Sequence, residues 1–243
     1  KWRIAHLWLF PVVFVYDELL LRIYAGAGLF QSLLYPVLFA LGMGLFCGCV
    51  TSGFRPKVNR IISLVLLYAL ALVFTTECLI RDSYQVYMTL GAIKTGAGGV
   101  VGGFGGELFQ AVFHGIPRIF FFFLPAILYT GTGRRRMPAR RYPLAFVGIV
   151  LAASLLVTGV GVLTATHGKQ SAKYKAQYDF NTATKTFGLV TSLRLEAKYA
   201  LFGNQHAASL VVESAPSPSP SEPSAVEEDT PVVYGDNVMD IDF

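Results

Sequence analysis

The chain has 243 residues, 53% of them hydrophobic and only 14% charged, with a mean hydropathy of +0.52. Soluble domains carry about a quarter charged residues, so most of this chain has lipid or protein as its solvent. The net charge of +5 sits in short basic clusters between apolar runs, while most acids fall in the last 50 positions; this pattern speaks of topology and anionic headgroups, and against nucleic acid.

Five apolar runs are each long enough to cross roughly 30 Å of hydrocarbon, which takes about 20 helical residues. The first spans Ile4 to Tyr24, after the basic start Lys1–Arg3, and its far part carries Asp17, Glu18 and Arg22. With Ala25-Gly26-Ala27 it imitates a signal peptide, but the Asp17-Glu18 pair is foreign to an h-region and predicts a retained helix. The second, Leu29 to Val50, has no charge, and the third, Ile61 to Ile80, holds one acid, Glu77. The fourth runs from near Leu108 to Thr130 with Arg118 inside it, and the fifth, Leu144 to Ala165, is again uncharged.

The connections set the orientation. Lys1 and Arg3, then Arg55, Lys57 and Arg60, then Arg134, Arg135, Arg136, Arg140 and Arg141 place ten basic residues on one side. The positive-inside rule puts that side in the cytoplasm, and five crossings put everything after Ala165 outside. The predicted fold is an all-α membrane domain of about five transmembrane helices over 1–166, N-terminus inside and C-terminus outside.

Two outer segments stand apart. Arg81 to Glu107 contains Gly96, Gly98, Gly99, Gly102, Gly103, Gly105 and Gly106, but Val101 stands where a dinucleotide loop needs its third glycine. Small-residue helix packing or a re-entrant stretch fits it better, with a headgroup-contact surface as the other reading. In the second segment, residues 167–203 form a juxtamembrane region whose Phe187, Val190, Leu193, Leu195 and Leu201 fall on one helical face. They predict one amphipathic helix from Thr184 to Phe202, lying on the outer leaflet or against a following domain. Residues 204–233 hold a flexible Pro/Ser and acidic linker, SAPSPSPSEPSA at its centre, and 234–243 read as the strand-like start of a further domain.

Ionisable residues at membrane depth are costly and invite a functional reading. Asp17 lies about 21 Å of helix beyond Arg3, and Arg118 about 24 Å before Arg134. Asp17, Glu18, Arg22, Glu77, Arg81, Glu107 and Arg118 therefore share one depth beneath the outer headgroups, with Glu18/Arg22 and Glu77/Arg81 spaced for i,i+4 pairing. Interhelical ion pairs are one reading of this cluster; a groove for a lipid headgroup is the other. Cys47, Cys49 and Cys78 lack metal-ligand spacing, and His6, His114, His167 and His206 are scattered. No nucleophile elbow or metalloprotease motif occurs, so neither catalytic residues nor a cofactor are assigned to this chain.

Four stretches then carry a resemblance: YDELLLRIYAG at 16–26, FFFLPAILY at 121–129, FGLVTSLRLEAKYALFG at 187–203 and YGDNVMDIDF at 234–243. Together they resemble the N-terminal membrane domain of lipoteichoic acid synthase-like proteins, phosphoglycerol transferases of the sulfatase and alkaline phosphatase superfamily. Glu196 stands where that family more often has Asp. The resemblance implies a membrane anchor in a bacterial plasma membrane and a downstream extracytoplasmic catalytic domain with a Thr nucleophile. It also implies a divalent metal, manganese or magnesium, held by that domain, and phosphatidylglycerol-type lipid as substrate. No nucleophile or metal ligand is carried onto a position of this chain. A transporter or channel component, and a membrane scaffold or sensor, are the competing readings.

Overall fold

Two prolines show how the helices are assembled. Pro11 and Pro125 each sit inside a helix, where the missing N–H frees the carbonyl four residues earlier. Phe121 O, released by Pro125, accepts a hydrogen bond from the Tyr16 hydroxyl at 2.9 Å. Leu7 O, released by Pro11, lies against Gly48 so closely that a Cβ there would stand 3.0 Å from it. Each broken ladder thus lies against a neighbouring helix, the first through a hydrogen bond and the second through a close backbone approach.

The computed structural model describes residues 5–26, 33–89, 112–136, 142–168, 170–175 and 179–202. Its elements are α1 (Ala5–Tyr24), α2 (Leu34–Val50), α3 (Pro56–Tyr84), α4 (Ile116–Arg136), α5 (Leu144–His167), α6 (Ser171–Lys175), α7 (Phe180–Phe187) and α8 (Leu189–Phe202). Helix makes up 87% of the described residues, which contain no strand. The glycines from Gly96 to Gly106, Glu107, Arg140, Arg141, His206, the Pro/Ser linker and the 234–243 stretch lie outside the described residues, as do the expected starts at Leu29 and Leu108.

A helix stands at each of the five apolar runs, with shifted ends. α3 begins at Pro56, not Ile61, because Arg55 is extended before a proline that suits the first helical position. Lys57 and Arg60, expected in a loop, are therefore helical. α3 ends at Tyr84, where Gln85 turns left-handed at φ 58°. The α2–α3 turn is closed by Asn59, whose amide donates to Phe54 O at 2.9 Å while its oxygen accepts from Phe54 N at 3.0 Å.

α1 and α2 form the closest pair, α2 also lies along α5, and α3 lies along α4. Phe10, Val13, Phe14, Ala40, Cys47, Leu67, Ala126 and Tyr129 fill the centre between α1, α2, α3 and α4. Cys47, Cys49 and Cys78 are buried free thiols.

The tail departs most from expectation. The single helix predicted from Thr184 to Phe202 is two helices broken at Gly188, whose φ of +91° a side-chain-bearing residue rarely adopts. Their junction is driven into the bundle. Phe187 and Leu189 are fully buried, Val190 packs on the central core, and Leu201 and Phe202 at the far end are three-quarters exposed.

Candidate functional site: a buried charge cluster that holds the tail helices

Glu18, on α1, is 3% exposed. Its carboxylate accepts from Leu189 N at 3.2 Å and Val190 N at 3.0 Å, the first two amides of α8. A helix start presents orphan N–H groups and the positive end of its dipole, so a carboxylate from another helix serves as its cap. A Cβ on Gly188 would come within 2.8–2.9 Å of that carboxylate. Glycine is thus required there twice, for its φ and for the approach of Glu18. One turn along α1, the Arg22 guanidinium donates to Lys185 O in the last turn of α7, where cations are favoured. The Glu18/Arg22 couple therefore straddles the α7–α8 junction, acid on the helix start and base on the helix end.

The second couple behaves alike. Glu77 accepts from Met88 N at 2.9 Å. Arg81 donates to the Tyr87 hydroxyl at 2.6 Å and to Ala25 O at 2.8 Å, with its guanidinium 5.0 Å from the Tyr87 ring centre. Burial pushes the Tyr87 phenol up to about 12, against the lowering influence of Arg81, so it stays protonated. Tyr87 N in turn donates to the Asn181 side chain at 2.8 Å, tying the segment after α3 to α7. Arg118 forms an ion pair with Asp82 and lies 5.6 Å over the Tyr24 ring. That pair is a quarter and a half exposed, and such pairs contribute about 0–1 kcal/mol.

Six of the seven residues singled out in the sequence thus gather at one end of the bundle; Glu107 lies outside the described residues. Glu18, Glu77 and Arg22 each bond backbone groups of helix ends and turns, while Arg81 divides its bonds between Ala25 O and the Tyr87 hydroxyl. Asp17 is 1% exposed, and both its oxygens lack a hydrogen-bond partner among the described residues. Asp82, Tyr87, Asn181 and Gly188 were not anticipated. Gly188 had a signal, an interruption in the middle of an amphipathic stretch, whereas the others act across distances that periodicity does not reveal. No group of three or more metal-ligating side chains occurs among the described residues.

Asp179 starts α7 as its N-cap, accepting from Thr182 N at 2.8 Å and Asn181 N at 3.4 Å. Hydrogen bonding to Thr182 holds its carboxyl below the ordinary value. A depressed carboxyl contributes stability above its unfolded value of about 3.9, and this is lost as pH falls through the lower folded value. Asp179→Ala is expected to cost about 1 kcal/mol. Thermal unfolding at neutral pH checks it, and the difference from the parent should shrink below about pH 4.

Among the described residues the chain is an all-helical protein in which two helices, α3 and α5, are long and apolar enough to cross a membrane. No protein-family model, curated protein or solved structure matches it.

Proposed function

We propose that α1–α5 are five membrane spans with the N-terminus cytoplasmic, and that this domain anchors an extracytoplasmic phosphoglycerol transferase-like enzyme in a bacterial plasma membrane. The observation that carries the topology lies within α3. Arg55, Lys57 and Arg60 stand at its start and Glu77 and Arg81 near its end, and Lys57 and Glu77 are about 30 Å apart along the axis, the thickness of the hydrocarbon layer. Cations at a helix start oppose its dipole; anionic cytoplasmic headgroups offset that cost. Ile61, Val65, Ile149, Leu155 and Leu156 are more than 60% exposed along α3 and α5, a surface that suits lipid and would be a liability in water.

The anchoring role rests on the tail. After α5 the chain is drawn back by Glu18 and Arg22, so the start of α8 is fixed against α1, and on this reading α8 is the segment that tethers the catalytic domain. The transferase class comes from the resemblance of the four stretches quoted above, and phosphatidylglycerol as substrate comes with it.

Cysteine accessibility in intact cells tests the topology. On a background with Cys47, Cys49 and Cys78 replaced by Ala, Lys173→Cys is expected to react with an impermeant maleimide from outside. Lys57→Cys should react only after permeabilisation. Labelling of both from one side overturns the odd number of spans. The whole polypeptide carrying this domain is expected to release diacylglycerol from phosphatidylglycerol with manganese present; no release removes the transferase assignment.

A further inference from the structure

A trough separate from the charge cluster runs between α2, α5 and α8. Phe39, Met43 and Phe46 of α2, Leu155 and Thr158 of α5 and Val190 of α8 line it. Its one other hydroxyl of α5, Ser154, is already spent on Gly42 O at 2.7 Å, so the walls are almost wholly apolar. Arg194 closes one end, its guanidinium 5.2 Å over the Phe39 ring and donating to the Tyr174 hydroxyl at 2.8 Å. Arg194 also lines a second pocket, with Thr166, Tyr174, Lys198 and Tyr199 on its walls. Val190, Arg194 and Lys198 follow one another at i,i+4 spacing down a single face of α8.

We propose that this trough binds one membrane lipid with an anionic phosphate headgroup, an acyl chain along the apolar walls and the phosphate at Arg194 and Lys198. The inference rests on the membrane placement proposed above and gives that domain a lipid site. From Thr166 to Leu155 along α5 the two pockets cover about 16 Å, close to one leaflet of a hydrocarbon core of about 30 Å. The polar end lies at the end of α5 and the apolar end toward its middle, the polarity of a lipid standing in one leaflet. Charge complementarity selects the headgroup. The cations of the charge cluster are engaged, Arg22 on Lys185 O, Arg81 on Tyr87 and Ala25 O, Arg118 on Asp82. Arg194 and Lys198 are exposed and have no carboxylate partner among the described residues. A guanidinium fork with free N–H groups matches a phosphate bidentately.

The test is native mass spectrometry of the delipidated full chain, with phosphatidylglycerol, phosphatidylcholine and soluble glycerol phosphate added back in separate arms. Phosphatidylglycerol should bind about tenfold more tightly than phosphatidylcholine. Arg194→Gln should erase that preference, and Met43→Trp, which fills the trough, should weaken both lipids alike. Lys198→Gln, at an exposed position, reads the same headgroup contact if Arg194→Gln fails to stay monodisperse. Equal binding of the two lipids, an unchanged preference in both charge variants, or glycerol phosphate competing as well as the lipid would each overturn the proposal. Reversed labelling of Lys57→Cys and Lys173→Cys with lipid preference intact would sink the topology and leave the site standing; normal labelling with no preference would do the opposite.

Discussion

Glu18→Ala is expected to release α8 from the bundle and to lower stability by about 3–5 kcal/mol. Three losses coincide. The buried amide of Leu189 and the part-buried amide of Val190 lose their acceptor, and each stranded buried donor costs about 1–3 kcal/mol. Arg22, buried one turn away, loses its neighbouring negative charge. A hole opens beside Gly188, whose lack of a side chain exists to admit that carboxylate. Glu18→Gln keeps one acceptor oxygen and nearly the same volume, so it should fall between the two. The reporter is Ser192→Cys, placed at a fully buried position one turn into α8. In the parent it should resist maleimide, and in Glu18→Ala it should react at a rate near that of an exposed site. A protected Ser192→Cys together with an unchanged unfolding midpoint in Glu18→Ala would show that packing of Phe187 and Leu189 alone holds the tail.

The same residues mark how far the sequence could be read. Apolar runs of helical length located α1 to α5, because a helix satisfies its backbone hydrogen bonds within one segment. Depth counting also gathered Asp17, Glu18, Arg22, Glu77, Arg81 and Arg118 at one end. What it could not supply was partners. An i,i+4 couple on one helix is a local event, and the sequence offers Arg22 to Glu18 as the nearest opposite charge. The structure brings α7 and α8 in from more than 160 positions away, so that Glu18 and Arg22 meet three backbone groups at those helix ends. Gly188 was legible in principle as a break, but its approach to Glu18 depends on the path of the chain after α5. The trough at Arg194 was invisible for a related reason: its walls come from three helices whose register against one another is set by small residues.

Those small residues give the second large effect, which Gly44→Ala should reveal. On α2, Gly44 and Gly48 are four apart and face α1, the spacing that lets helix backbones touch in a membrane. A Cβ at Gly44 would stand 2.8 Å from the carbonyl carbon of Phe10 and nearer still to the backbone of Pro11. Backbone cannot rotate aside as a side chain can, so α1 and α2 must part. Overpacking of this kind costs about 1–3 kcal/mol, occasionally more, and here it falls on the closest helix pair, which also carries the Leu7 O contact to Gly48. Gly44→Ala is therefore expected to lose about 3 kcal/mol, and Gly44→Leu to prevent stable accumulation. Gly148 and Gly159 on α5 supply the control, since a Cβ at either meets nothing within 4 Å. Ala there should be neutral or stabilising by up to about 1 kcal/mol, the helix propensity difference. Denaturation in mixed detergent micelles reads the three alanine variants on one scale. If Gly44→Ala unfolds with the controls, α1 and α2 are not in backbone contact, and the α1 register that aims Glu18 at Gly188 would need another cause.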